Sequence, residues 1–109
     1  MEASVNAIVP PALLRFRAEL DEIYGERIER VVLFGSRARG DAHADSDYDI
    51  AVFIRDMADR WREMDRVADI GTEIPYDEGP LIHGMAYRAG EYRRRTPLMG
   101  EIRRDGIDL

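Results

Sequence analysis

Two carboxylates, Asp47 and Asp49, stand one residue apart where an apolar run begins, Ile50-Ala51-Val52-Phe53-Ile54. On a strand, positions i and i+2 share a face, so both acids would point the same way, their Cα atoms roughly 7 Å apart. Like charges held that close call for a cation between them. Mg²⁺, which favours one or two carboxylates plus substrate phosphates, suits the pair. Upstream, Gly35-Ser36 follows a second apolar run, Ile28 to Phe34. Gly35 would let a backbone approach a ligand with no Cβ in the way. Ser36 would open a short helical segment, where free N–H groups and the helix dipole favour an anion. An anion cradle and a metal-binding carboxylate pair, joined by adjacent strands, describe a nucleoside-triphosphate site.

Other readings of the stretch are weaker. The alternation Asp45, Asp47, Asp49, with Asp56 eleven positions after Asp45, imitates a calcium loop, but the sixth position, where that loop needs glycine, is Ile50. A P-loop fails because no Gly-Lys-Ser/Thr follows Gly35. A solvated acidic turn leaves the glycines and Ser36 unexplained.

The pattern Gly35-Ser36, ten residues (37–46), then Asp47-Tyr48-Asp49 resembles the signature of the DNA polymerase β-type nucleotidyltransferases, in particular the minimal nucleotidyltransferases (MNT proteins). Arg37-Ala38-Arg39-Gly40 and Ser46 are also typical of small prokaryotic members. The motif covers about one seventh of the chain. The resemblance implies Mg²⁺-dependent transfer of a nucleoside monophosphate, AMP from ATP, to an acceptor hydroxyl. It makes Asp47 and Asp49 catalytic metal ligands and Gly35 and Ser36 the triphosphate cradle. Arg37 and Arg39 become candidate phosphate contacts, though either could instead pair with Asp41 or Asp45. Small free-standing members resemble the antitoxin of HEPN/MNT toxin–antitoxin pairs, which implies a small helical HEPN ribonuclease as partner and adenylylation target. The alternative is a binding module of the same fold that neutralises its partner by contact alone; a third option is an adenylyltransferase for another protein or a small molecule.

Active relatives usually add a third carboxylate from a later strand. Here the expected strand, residues 81–87, holds His83 as its mid-strand polar side chain, and the nearest acids, Asp77 and Glu78, precede it. His83 and Asp77 are therefore the candidates for the third position.

The elements that must position these residues follow from periodicity and punctuation. Apolar residues from Leu13 to Tyr24 recur at helical spacing after Pro10-Pro11, and Gly25 closes that helix. Strands are expected over 28–34 and 48–54. A helix over 57–73 carries a stripe of Met57, Trp61, Met64, Val67, Ala68 and Ile74, expected to face the core, with a partner surface as the alternative for Trp61. Gly84 is a weak point of the third strand. Thr96-Pro97 opens a last helix, and Gly106 ends it. Its Leu98, Met99 and Ile102 are expected to stay exposed and meet a partner. The resulting order implies an α/β fold of nucleotidyltransferase type: a small mixed sheet with helices mainly on one face.

The 109 residues suit one domain spanning 1–109. Sixteen basic against 22 acidic residues, net charge −6, argue against direct nucleic-acid binding. Arg93-Arg94-Arg95 lacks interleaved aromatics and reads as a solvated or phosphate-contacting face. With no cysteine and two histidines, disulfides and thiolate metal sites are excluded. The apparent lack of a signal peptide or membrane span leads us to expect a cytoplasmic protein.

Overall fold

The structure, a computed structural model, describes residues 10–43, 46–74 and 81–109. Helix α1 (Pro11–Tyr24) leads through a 3₁₀ turn (Gly25–Arg27) into β1 (Ile28–Phe34). A four-residue helix α2 (Ser36–Arg39) precedes β2 (Tyr48–Ile54), then come α3 (Arg60–Glu73) and β3 (Ile82–Arg88). A second 3₁₀ turn (Glu91–Arg93), α4 (Pro97–Asp105) and a two-residue strand β4 (Ile107–Asp108) complete the order. No described helix is long and apolar enough to cross a membrane.

The sheet order is β3-β2-β1-β4. β1 pairs antiparallel with β2 and β4, and β2 pairs parallel with β3, so the sheet is mixed as expected. β2 is central and carries an unbroken apolar run because both of its faces are covered. On one face Val31, Leu33, Ile50, Val52, Ile54, Ile82 and Ala86 pack under α1 and α3. On the other, Val32, Phe34, Ala51 and Phe53 meet Met99 and Ile102 of α4. The two long helices thus share a face and the short last helix takes the opposite one.

The last helix departs from expectation. Met99 and Ile102 are 4% and 1% exposed and belong to the second core; Leu98 alone of the three remains open. The reason is the double-sided burial of β1 and β2, whose alternate residues need a second cover. Trp61 departs the other way, 74% exposed. Asp59, not a residue near 57, caps α3, its side chain accepting from the Arg62 N–H. The buried stripe is Val67, Ile70 and Gly71, continued by Ile74 just past the helix. At 100° per residue Trp61 lies about 120° from Val67, outside that stripe. Strand β4, on the edge of β1, was not foreseen; two residues are too short to show a period.

Gly84 proves to be a packing requirement. A Cβ there would stand 2.8 Å from Val67 Cγ1 and 3.0 Å from Phe16 Cζ, and one on Gly71 would stand 2.9 Å from the Ile82 carbonyl. Two glycines therefore let α3 lie close on β3. Past the end of that strand, Glu91 is nearly buried and accepts from the Arg60 guanidinium and the Arg88 N–H. Burial opposes its charge, but these two donors outweigh it and hold its pKa below the ordinary glutamate value.

Candidate functional site

Three strand ends converge on Asp49. Across the antiparallel pair its register partner is Phe34, the last residue of β1, and across the parallel pair it is His83. The turn that leaves β1 is Gly35, with φ +77° and ψ −158°, a region essentially reserved for glycine. A Cβ added to Gly35 would sit 2.7 Å from Asp49 Oδ2. The glycine thus does two things: it turns the chain into α2, and it vacates the space that the Asp49 carboxylate fills. Oδ1 of the same carboxylate faces His83 Nδ1 at 3.4 Å. The Asp49 side chain is 32% exposed and His83 60%. Asp47, two residues earlier, is exposed just before β2 begins.

Helix α2 is built by local bonds. Ala38 and Arg39 N–H groups donate to the Gly35 carbonyl, and Gly40 and Asp41 N–H groups to that of Ser36. Ser36 is thus the first helical residue, immediately beside the Gly35–Asp49 contact. Arg37 reaches the chain that enters β2. Its Nε donates to the Ser46 carbonyl at 3.0 Å, and its guanidinium lies over the Tyr48 ring, 4.7 Å from the centroid. It therefore grips the chain on both sides of Asp47. Arg39 pairs with Asp41 and Glu101, each at 3.2 Å, tying α2 to α4. The Asp41 hydrogen bond is the main cause of the rise in its pKa. The pairing with Asp41 was open in the sequence. The clamps on Ser46, Tyr48 and Glu101 had no local signal, since they join separate elements.

Position 83 brings a polar side chain to the Asp49 carboxylate. Asp77 and Glu78, like Asp45, lie outside the described residues. Among the described residues, no three histidine, aspartate or glutamate side chains converge as a metal site. The donors that do face each other are Asp49 Oδ1 and His83 Nδ1. A calcium loop is excluded, because Ile50 lies within β2. A cleft of about 330 Å³, lined by Leu33, Ala38, Tyr48 and Ile107 among others, flanks α2. Tyr48 and Leu33 face the first core, so this cleft lies across the sheet from Asp49.

Comparison with known proteins points one way. A family model described as "Nucleotidyltransferase domain" matches residues 13–94. A protein from Methanocaldococcus jannaschii named "Putative protein adenylyltransferase MJ0141" is 26% identical over 94 residues, covering 86% of this chain and 91% of its own. Two solved structures share the fold. One, described as a toxin–antitoxin with AMP-PNP, has a TM-score of 0.53 at 22% identity, covering 86% of this chain and 69% of its own. The other, a "putative nucleotidyltransferase from Sulfolobus solfataricus", has a TM-score of 0.51 at 21% identity, covering 99% and 89%.

Proposed function

The chain belongs to the nucleotidyltransferase domain family, and from that premise we propose that it moves AMP from ATP to a hydroxyl of a partner protein. The observation that supports the reading is the contact of the Gly35 turn with the Asp49 carboxylate, immediately before the helical residue Ser36. The donor chemistry of Asp47 and Asp49 fits Mg²⁺, and Gly35 leaves the space that Asp49 needs to serve it. The ion, when bound, would offset negative charge on the triphosphate and on the pyrophosphate that leaves.

In this reading Asp47 and Asp49 hold the metal, and the backbone at Gly35 and Ser36 receives the triphosphate. Arg37 keeps Asp47 in place, and Arg39 orients α2 through Asp41 and Glu101. The acceptor hydroxyl oxygen bonds to the α-phosphorus, the bond from that phosphorus to the bridging oxygen breaks, and pyrophosphate leaves with the electron pair. The hydroxyl proton passes to solvent or to a neighbouring base. The acceptor is a protein, as the name of the Methanocaldococcus relative suggests. The toxin–antitoxin neighbour suggests its setting, with this chain as antitoxin and a HEPN-type ribonuclease as both partner and target.

One observation favours a second reading, a module that neutralises by contact alone: the described residues supply two site carboxylates and no third. Incubation with α-labelled ATP, Mg²⁺ and a co-purified helical partner separates the two. Label on the partner, lost in Asp49→Ala, supports transfer; stable binding without label supports the contact module.

A further inference from the structure

We propose that the free edge of β3 is a self-association surface: two copies of this chain join β3 to β3, antiparallel about a two-fold axis at Gly84, into one continuous sheet. The proposal stands whether or not the chain transfers a nucleotide.

The strand order leaves β3 at one end of the sheet. Its inner side is marked by two bonds, from the Tyr48 N–H to the Leu81 carbonyl and from the Ala89 N–H to the Ile54 carbonyl. Odd-numbered residues of β3 therefore turn their backbone groups to β2, and Ile82, Gly84, Ala86 and Arg88 turn theirs outward. Of these outward N–H groups, that of Arg88 donates to Glu91 Oε2 and that of Ala86 to Met64 Sδ at 3.3 Å. A thioether is a weak acceptor, which a strand carbonyl can replace. The outward groups of Gly84 have no partner among the described residues.

Edges are ordinarily blunted by charge, proline or a bulge. Residues 81–87 contain no Asp, Glu, Lys, Arg or Pro. An apolar rim flanks the edge on both faces. On the face that carries His83, Leu81 is 57% exposed and Met85 and Tyr87 are partly open. On the other face stands α3. Met64, which reaches the β3 edge, lies about 60° from Val67 around the helix axis, and Ile70, which lines a groove with Ile23 of α1, lies about 60° the other way. Trp61 is about 120° from Val67 on the Met64 side, so this exposed indole stands toward the free edge.

Register and charge identify the occupant as a second copy. Centred on Gly84, an antiparallel pair sets Gly84 opposite Gly84 and Ile82 opposite Ala86 of the second copy, so the outward groups meet as hydrogen-bonded pairs. Between them Leu81 meets Tyr87 and His83 meets Met85 of the second copy, in the pairs where side chains stand closer. The strand thus complements itself, apolar against apolar. Each copy has a net charge of −6, so two copies repel unless they meet at an uncharged surface, which this edge supplies. The two-fold also turns Trp61 of each copy toward α3 of the other. Met85 of the second copy then stands beside His83, next to the Asp49 carboxylate, so each copy walls the other's site.

The test is the mass in solution. Sedimentation of the full chain at about 0.1 mM, enough to populate a micromolar dimer, should give twice 12.5 kDa. Trp61→Lys combined with Leu81→Lys, both at exposed positions, should weaken the dimer at least about tenfold with circular dichroism unchanged. Cross-linking reads the register, since the chain has no cysteine. Leu81→Cys and Tyr87→Cys proteins should each stay unlinked alone, because equivalent positions fall roughly 20 Å apart across the two-fold. Mixed, they should form a disulfide-linked dimer, their Cα atoms about 4.5 Å apart. In wild type the Gly84 amide should exchange slowly in the dimer and faster on dilution. A monomer overturns the proposal, even if a strand of another protein can occupy the edge. So does a dimer that the two lysines leave unchanged, a mixture that stays unlinked, or a wild-type dimer whose Gly84 amide exchanges freely. Mass and exchange are read on wild type, so a folding defect in a variant cannot obscure the answer.

Discussion

Asp49 and Gly35 occupy complementary space: the carboxylate fills the volume that a Cβ on Gly35 would take, 2.7 Å from Oδ2. The signature residues at the two ends of a fifteen-residue stretch are therefore one packed unit. What happens to either is felt by the other.

Gly35→Ala should damage both folding and nucleotide binding. The φ of +77° disfavours any side chain, and the added methyl meets the carboxylate. We expect a loss of about 1–3 kcal/mol in urea unfolding, the range for strained backbone positions, and at least a tenfold weaker ATP affinity by calorimetry, on the order of the 1.4 kcal/mol that a tenfold change represents. Unchanged affinity in a stable Gly35→Ala protein would remove the cradle from the reading.

Asp47→Ala and Asp49→Ala should each reduce transfer by about a hundredfold or more, the scale seen when one electrostatic partner of a transition state is removed. Both carboxylates reach solvent, so thermal unfolding should shift little. A variant that keeps full Mg²⁺-dependent transfer shows that its carboxylate does not hold the metal.

His83→Asp supplies the carboxylate that the strand lacks. Transfer in Mg²⁺ should rise. If Asp77 is the third acid instead, Asp77→Asn eliminates transfer and His83→Asp changes little.

Arg37→Ala should lower transfer about tenfold while ATP still binds, because the clamp on Ser46 and Tyr48 holds Asp47 and a small misplacement is costly. Kinetics that show weaker ATP binding at unchanged turnover would make Arg37 a phosphate contact instead.

Glu91→Gln should cost about 1–3 kcal/mol at pH 7, since it weakens a charged hydrogen-bonded pair that is nearly buried. The folded-state pKa is depressed, so this stability is present above the unfolded glutamate value of about 4.3. It is lost as pH falls through the folded value. Denaturation curves of wild type and variant should converge in that acid range; a gap that persists there would assign the cost to packing.

The sequence by itself determined the local features. Proline, glycine and Thr96 punctuation placed α1 and α4, β-branched runs placed β1 and β2, and one spacing tied Gly35-Ser36 to Asp47 and Asp49, because these signals are written in neighbouring residues. Tertiary structure decided what depends on register and on which face is covered. Met99 and Ile102 became core because β1 and β2 expose apolar residues on both faces. Trp61 was left outside because the burial of α3 is centred on Val67 and Ile70. His83 came to Asp49 only through the parallel register of β2 and β3, a pairing between residues 34 positions apart that no local period encodes.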